Sequence, residues 1–309
     1  MGIKQKAFCL VFLIQIAFIY PFAIAQSDTA NLQLPEVNKA RLNGIIIGGS
    51  AIYAGSMTGL YHLWYKNYPQ SNFHFINDNN EWLFMDKAGH TTTSYYLGLL
   101  GYESLRWAGL SEKKSTWYGG SFGFAYLTVI EILDGFSKEW GASSGDLIAN
   151  GIGTSIFIGQ QLAWKEQRIL LKYSFHLTDY AQYNPELLGK GFVARLIKDY
   201  NGQTVWLSGN ISSFLPEKSR FPKWLNFSIG YGAEGMTGAV NNPQFLDDQP
   251  IPYFNRYRQF YLAPDIDLTR IKTRNNTLNY VFKTFGFLKF PLPTIEINKK
   301  GMKFHPLFF

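Results

Sequence analysis

The sequence predicts an α+β fold, in which an N-terminal four-helix apolar bundle precedes a C-terminal antiparallel β region. From about Leu42 to Trp164, apolar residues recur in long stretches with the spacing of helices. From about Arg168 onward, they alternate with polar residues in short segments bounded by Gly, Pro or Asn, as in antiparallel strands. This change of period predicts a helical domain at residues 26–165 and a β-rich domain at residues 166–309.

The four predicted helices span roughly residues 42–65, 87–110, 116–138 and 145–165. Glycines recur throughout these segments, although each costs about 1 kcal/mol relative to alanine inside a soluble helix. Small residues allow helices to approach one another closely, as membrane bundles often require. We therefore expect close helix–helix packing in this domain.

The β-rich domain is predicted to contain about six or seven strands, of which five can be assigned, and one amphipathic helix at about residues 276–288. His176 falls within a strand, and His305 has no acidic residue nearby in the sequence. We expect neither histidine to belong to a site. The predicted strands cover residues 168–178, 203–214, 224–233, 260–271 and 293–298.

Residues 1–25 have the three parts of a secretory signal peptide. Lys4 and Lys6 precede an apolar run, and Ala23 and Ala25 provide small residues at positions −3 and −1 of a cleavage site. The only cysteine, Cys9, lies inside this segment. The mature chain is therefore expected to be exported, without disulfides, catalytic thiols or cysteine-ligated metals.

The composition indicates large apolar faces. The chain has 46% hydrophobic and only 17% charged residues, whereas soluble domains have about 25% charged residues. The net charge of +7 favours anionic lipid or glycan. We expect a membrane or lipid partner, or a cell-wall or envelope protein partner. Nucleic acid is excluded as a partner because no basic stripe is present and the chain is exported.

The charges in the predicted connections argue against an inner-membrane bundle. With the N-terminus outside, the outer side would carry more positive charge than the inner side, against the rule for inner-membrane proteins. We therefore predict a periplasmic or outer-membrane-associated protein, with the inner membrane as the alternative. The outer side would carry Lys39, Arg41, Arg106, Lys113, Lys114, Lys165 and Arg168, and the inner side Lys66, Lys87 and Lys138.

Polar residues interrupt the apolar helices in pairs three or four residues apart, which places each pair on one helical face. In an up-down bundle, all three pairs lie at the same end, together with His62 and the polar loops at residues 77–82 and 137–145. The pairs are Asp86 with His90, Glu131 with Asp134, and Asp146 with Asn150.

This convergence is the candidate site. Its acid–base residues would be Asp86, His90, Glu131, Asp134 and Asp146, and its ligand-binding residues would be Lys87, Asn150, His62 and Trp82. An aspartate that orients an imidazole makes a general base, and crowded carboxylates raise one another's pKa. Carboxylates with histidine also bind divalent metals. A structural ion network is the remaining alternative, and the sequence does not identify a cofactor.

The segments from Asn77 to His90 and from Gly141 to Asn150 together resemble the YfiM-like family of predicted periplasmic lipoproteins, over about residues 73–164. This resemblance implies an envelope location and supplies no activity. The chain departs from the lipoprotein description, because it lacks a lipid-attachment cysteine.

The chain also resembles VanZ-like membrane proteins, through Asp86-Lys87 with His90, Glu131, and Asp146 with Asn150 and Gly153. That resemblance implies a lipid-linked or cell-wall substrate at the polar end. The sequence therefore leaves two hypotheses open. The first is a structural or binding component of the envelope, and the second is an enzyme or binding module for such a precursor.

Overall fold

The computed structural model describes residues 37–63 and 65–309, so the predicted signal peptide lies outside the described residues. These residues form two compact units. The helical unit comprises residues 37–63, residues 65–78 and His90–Glu166. The sheet unit comprises Asn79–Gly89 and Gln167–Phe309. The sheet unit thus includes a segment from within the predicted helical region, and the predicted domain bounds stay a prediction.

Each of the four predicted helices has a counterpart among the described residues, and their assembly into one bundle stays a prediction. The third helix begins later than predicted, because a helical turn, Glu112–Lys114, and a π-helical turn, Ser115–Gly119, precede it. The four helices are α1 (Lys39–Leu63), α2 (Met85–Trp107), α3 (Phe122–Gly135) and α4 (Ser144–Trp164).

Glycines bring the main chains of α2, α3 and α4 into close approach. A Cβ atom on Gly153 of α4 would lie 2.1 Å from the Thr91 carbonyl oxygen of α2. A Cβ atom on Gly123 of α3 would lie 2.1 Å from the Ser94 carbonyl oxygen. Because such separations do not occur between real atoms, these positions require glycine. The expected close helix packing is therefore present at these two contacts.

Two short strands align the loops that precede α2 and α4. Strand β1 (Phe75–Ile76) pairs in parallel with β2 (Ala142–Ser143). Ser143 is also the N-cap of α4, where its hydroxyl accepts a hydrogen bond from the Asp146 amide at 3.0 Å. This cap satisfies an amide group that the helix start would leave unpaired. It also fixes Asp146 in the first turn.

The sheet unit contains a six-stranded sheet in the order β10-β9-β8-β5-β4-β3, and every pairing in it is antiparallel, as predicted. The number of strands agrees with the prediction of about six or seven, but the last strand had not been assigned to a segment. The short helices α5 (Pro185–Leu188) and α6 (Phe192–Lys198) were not predicted. The predicted amphipathic helix is α7 (Asn276–Phe285). A separate hairpin pairs β6 (Phe245–Leu246) with β7 (Gln249–Pro250). The main strands are β3 (Ile169–Phe175), β4 (Gln203–Asn210), β5 (Leu225–Glu234), β8 (Tyr257–Ile266), β9 (Leu292–Asn298) and β10 (Gly301–Phe308).

One face of this sheet is apolar and exposed, and we call it the apolar face. Its side chains alternate along β4, β5, β8, β9 and β10 with side chains that point to the other face. A continuous row of aligned residues crosses all five strands, formed by Leu207, Ile229, Leu262, Ile295 and Phe304. The apolar face also includes Phe227, Phe260, Ile297 and Met302.

The opposite face of the sheet is buried and largely polar. Ser208 donates a hydrogen bond to Asp265 at 2.6 Å and accepts one from the Asn226 side chain at 2.9 Å. Trp206 and Tyr261 provide an aromatic contact on this face, with ring centres 5.6 Å apart. An antiparallel sheet in water normally buries its apolar face and exposes its polar one. The polarity of this sheet is therefore inverted.

Candidate functional site

His90 lies in the second turn of α2, with only 7% of its surface exposed. Its Nδ1 atom lies 3.0 Å from Oδ1 of Asn150 on α4. An amide oxygen only accepts hydrogen bonds, so Nδ1 carries the hydrogen. In the neutral imidazole, Nε2 therefore presents its lone pair.

That Nε2 atom faces two carboxylates of the helical unit. It lies 3.7 Å from Oδ2 of Asp146 and 4.0 Å from Oε1 of Glu131. Both separations exceed the length of a direct hydrogen bond. The structure thus brings together four predicted site residues, without a direct hydrogen bond from His90 to either acid.

The Ser143 cap positions both carboxylates. Its backbone amide donates to Oε2 of Glu131 at 2.8 Å, and its hydroxyl donates to Asp78 at 2.5 Å. Asp146 follows Ser143 in the first turn of α4, where a negative charge is favoured by the helix dipole. Side chains from the two predicted polar loops therefore meet at Ser143.

Asp134 makes different contacts, although it lies one turn from Glu131 on α3. Its Oδ1 atom accepts hydrogen bonds from the Tyr65 hydroxyl and the Trp140 indole, each at 2.7 Å. Burial, together with the Asp134 charge, raises the pKa of Tyr65. Two donors to one carboxylate oxygen indicate a structural role for Asp134 in the helical unit.

Three predicted site residues belong to the sheet unit. Asp86 lies one turn before His90 on α2, and its carboxylate contacts the Lys87 ammonium and the Tyr200 hydroxyl, each at 3.2 Å. Trp82 is buried and packs edge-on against Tyr200. These contacts belong to the core of the sheet unit.

His62 lies in the last turn of α1 in an exposed position, with its ring against the neighbouring Tyr61 ring. The predicted set is therefore divided. His90, Glu131, Asp146 and Asn150 form one cluster of the helical unit, which we call the His90 cluster.

The sheet unit contains a buried charge cluster that the sequence did not predict. Asp265 Oδ2 lies 2.8 Å from the Lys172 ammonium, and Asp265 Oδ1 lies 3.7 Å from the Lys289 ammonium. All three side chains are fully buried. Burial lowers the pKa of Lys289 to about 8, while Asp265 acts to raise that pKa and Lys172 to lower it.

This depressed pKa predicts that the contribution of Lys289 to the stability of the protein grows more favourable as the pH rises. Between about pH 8 and 10.5, the unfolded chain keeps a proton on Lys289 that the folded chain releases. Because the unfolded state binds this additional proton, the contribution of Lys289 to the free energy of unfolding rises with pH, by at most about 1.4 kcal/mol per unit. Urea unfolding of the wild type and Lys289→Met at several pH values measures this contribution. A stability difference between them that does not change with pH would contradict the prediction.

His305 has an acidic partner that its position in the sequence did not reveal. The β9–β10 hairpin places its Nε2 atom 2.7 Å from Oε2 of Glu296. Burial acts to raise the pKa of Glu296, but hydrogen bonds from Gln259, His305 and Asn298 outweigh it and lower that pKa. The alternation of the two strands could have revealed this pair, had β10 been predicted.

Similarity to known proteins covers part of the chain. Residues 74–159 match a family model described as predicted periplasmic lipoprotein (DUF2279). The match includes the whole His90 cluster but less than a third of the chain. No curated protein and no solved structure gives a significant match. The likeness to YfiM-like and VanZ-like proteins stays a resemblance.

The family match provides information on where the protein is located. The description of the family confirms the predicted location, which is export to the periplasm or association with the outer membrane. Among the described residues, no helix combines the length and the apolar character needed to cross a membrane. In residues 74–159, the chain is thus similar to predicted periplasmic lipoproteins of the cell envelope.

Proposed function

We propose that this chain is a binding or structural component of the cell envelope that places the apolar face of its sheet against lipid. The observation that carries the proposal is the inverted polarity of the sheet. A sheet that exposes apolar side chains and buries polar ones is suited to apolar surroundings.

The size and continuity of the apolar face support this proposal. Ile229 is 54% exposed, Phe260 50% and Phe304 63%, on three different strands. Contiguous exposed apolar patches beyond a few hundred Å² mark interaction sites for proteins or membranes. Burial of such a face gains roughly 25 cal/mol per Å².

Charges and aromatic residues at one end of the sheet favour lipid over a protein partner. The segments at residues 211–224 and 267–275 both begin at this end, because Leu225 pairs with Ile266. Aromatic rings and cations together are typical of the membrane–water interface, and clustered cations attract anionic lipid. The exposed residues there include Phe214, Trp224, Lys218, Arg220, Lys223, Lys272 and Arg274.

The helical unit has the same distribution of polarity. On α4, Ile148 is 65% exposed and Leu162 51% exposed. Asp146 and Asn150 of the same helix are fully buried. Apolar side chains on the outside of both units are consistent with lipid contact.

A second candidate is an enzyme or binding module for a lipid-linked or cell-wall precursor. One observation favours it, which is that Nε2 of the buried His90 faces the carboxylates of Asp146 and Glu131. Such a set can accept and donate a proton.

Replacement of three residues on the apolar face is expected to weaken vesicle binding by roughly tenfold to a hundredfold. The variant carries Ile229→Thr, Phe260→Thr and Ile297→Thr, because threonine retains a high preference for strands. Flotation with vesicles of phosphatidylglycerol and phosphatidylethanolamine measures the bound fraction. We expect tighter binding as the fraction of phosphatidylglycerol rises.

The matched control is Tyr253→Thr, which removes an aromatic side chain that is 87% exposed and outside the strands. It should bind vesicles like the wild type, and circular dichroism should show all three proteins folded. The proposal is wrong if the wild type does not float with the vesicles or if the triple variant floats equally well. A wild-type dimer that the triple variant dissociates, without vesicle binding, would assign the face to a second copy.

A further inference from the structure

The two edge strands of the six-stranded sheet, β3 and β10, come together through the side chains of His176 and Phe308. His176 directly follows β3, and its backbone amide donates a hydrogen bond to the Gly202 carbonyl at 2.9 Å. Phe308 ends β10, and its ring centre lies 5.8 Å from that of His176. We call this meeting of β3 and β10 the edge contact.

A second histidine packs against the same phenyl ring. The ring centre of His305 lies 5.1 Å from that of Phe308, and the Nε2 atom of His305 lies 2.7 Å from Oε2 of Glu296. Phe308 also packs against Trp206 and Tyr261, with ring centres 6.0 and 4.5 Å away. Because Phe308 is only 8% exposed, it anchors the end of β10 in the interior of the sheet unit. The edge contact thus places two imidazoles against one buried apolar ring.

The surroundings of His176 favour its neutral form. Its Nδ1 atom is buried and has no hydrogen-bond partner among the described residues. Burial lowers the pKa of His176, and this effect exceeds the opposing influence of three acidic residues. His305 on β10 adds to the lowering of that pKa. The acidic residues are Glu234 on β5, Asp199 after α6 and Glu296 on β9.

Acid pH therefore weakens the edge contact. Below about pH 6.5, the unfolded chain binds a proton on His176 that the folded chain excludes. The contribution of His176 to the unfolding equilibrium then favours unfolding increasingly, by at most about tenfold per pH unit. Asp199 acts in the opposite sense, because burial raises its pKa. Burial acts to raise the pKa of Glu296 as well, but hydrogen bonds outweigh it and keep this carboxylate ionised.

We propose that the edge contact is an acid-sensitive switch, in which protonation of His176 releases Phe308 and the end of β10 from the interior of the sheet unit. Histidine suits this role because its charge changes between pH 5 and 8. A proton on His305 adds a second positive charge beside Phe308 and reinforces the release. Because Phe304 of β10 belongs to the apolar face, the switch also alters that face. The proposal does not depend on the lipid contact proposed above.

Hydrogen exchange of backbone amides at pH 7 and pH 5, measured by mass spectrometry without vesicles, tests the switch. After correction for the intrinsic effect of pH on exchange, we expect the protection of β10 to fall by about tenfold relative to the central strand β5. His176→Phe removes the titrating group, so the protection of β10 should change by less than about twofold. His305→Gln removes the second charge but keeps a donor for Glu296, and the loss should be roughly threefold.

The matched control is His62→Gln, because His62 is an exposed histidine in the last turn of α1. The protection of its β10 should depend on pH as in the wild type. Equal protection of wild-type β10 at both pH values, relative to β5, would overturn the proposal. An equally large loss in His176→Phe would overturn it as well, and His176→Asn supplies this comparison if the phenylalanine variant does not fold. An NMR titration of wild-type His176 with a midpoint at or above 6.5 contradicts the proposal without any variant.

Discussion

Replacement of Asp265 by asparagine is expected to lower the free energy of unfolding by about 3–5 kcal/mol. The Asp265 carboxylate contacts the ammonium groups of Lys172 and Lys289, and none of the three side chains is exposed. Asparagine keeps the shape but removes the negative charge, so two buried cations would face each other without compensation. Urea unfolding at pH 7 measures the loss.

The pH dependence and a compensating variant identify the cause. Because burial lowers the pKa of Lys289 to about 8, this lysine is mostly neutral at pH 10. The destabilisation by Asp265→Asn should therefore be smaller at pH 10 than at pH 7. Adding Lys172→Met and Lys289→Met to Asp265→Leu should recover most of the stability, since apolar residues can replace buried ion pairs. If Asp265→Asn lowers the free energy of unfolding by less than about 1 kcal/mol at pH 7, the charge cluster contributes little to stability.

The sequence predicted the helices and five strands of the sheet because their side chains follow clear periods of 3.6 and 2. Strand β10 was not assigned from the sequence, because Pro306 interrupts its alternation. The structure accommodates this proline at the edge of the sheet, where the register shifts between His305 and Phe308. A proline is tolerated in such an edge strand, where one side of the backbone has no partner strand.

Tertiary contacts account for the late start of α3. Periodicity predicted a helix from residue 116, whereas α3 begins at Phe122 after the π-helical turn. Gly119, in that turn, lies against the main chain of Gly101 on α2. Propensity along one segment contains no information on such a contact, because the partner lies elsewhere in the chain.

The inverted polarity of the sheet is a second feature that the sequence pattern alone does not predict. Alternation in β5 and β8 predicts two faces of opposite polarity but does not state which face is covered. The buried polar groups become favourable only after folding brings together partners such as Ser208 and Asp265, which are distant in sequence. The choice of the covered face is therefore a property of the whole fold.

Helical spacing and topology indicated which polar residues of the helical unit should meet, but not which atoms would contact each other. Asp134 and Glu131 lie on one face of α3 and have different partners. The side chain that orients His90 in the structure is Asn150. Such choices depend on rotamers and on the distance between helices, and glycines determine that distance.

Gly153→Ala is therefore expected to destabilise the protein by about 3 kcal/mol. Its new Cβ atom would lie 2.1 Å from the Thr91 carbonyl oxygen and 3.0 Å from the Ser94 Cβ atom. The oxygen belongs to the main chain of α2, so α2 and α4 must separate to relieve the overlap. That separation would also lengthen the contact between His90 and Asn150.

Gly159→Ala is the matched control, because Gly159 lies on the same helix with nothing within 4 Å of its added Cβ atom. Alanine favours the helix by up to about 1 kcal/mol over glycine, so this variant should be slightly more stable than the wild type. Thermal unfolding of both variants shows whether each substitution lowers or raises the stability relative to the wild type. If Gly153→Ala were also stabilising, helix propensity would outweigh close packing at this position. The distance between α2 and α4 would then not depend on Gly153, and the geometry of the His90 cluster would need another cause.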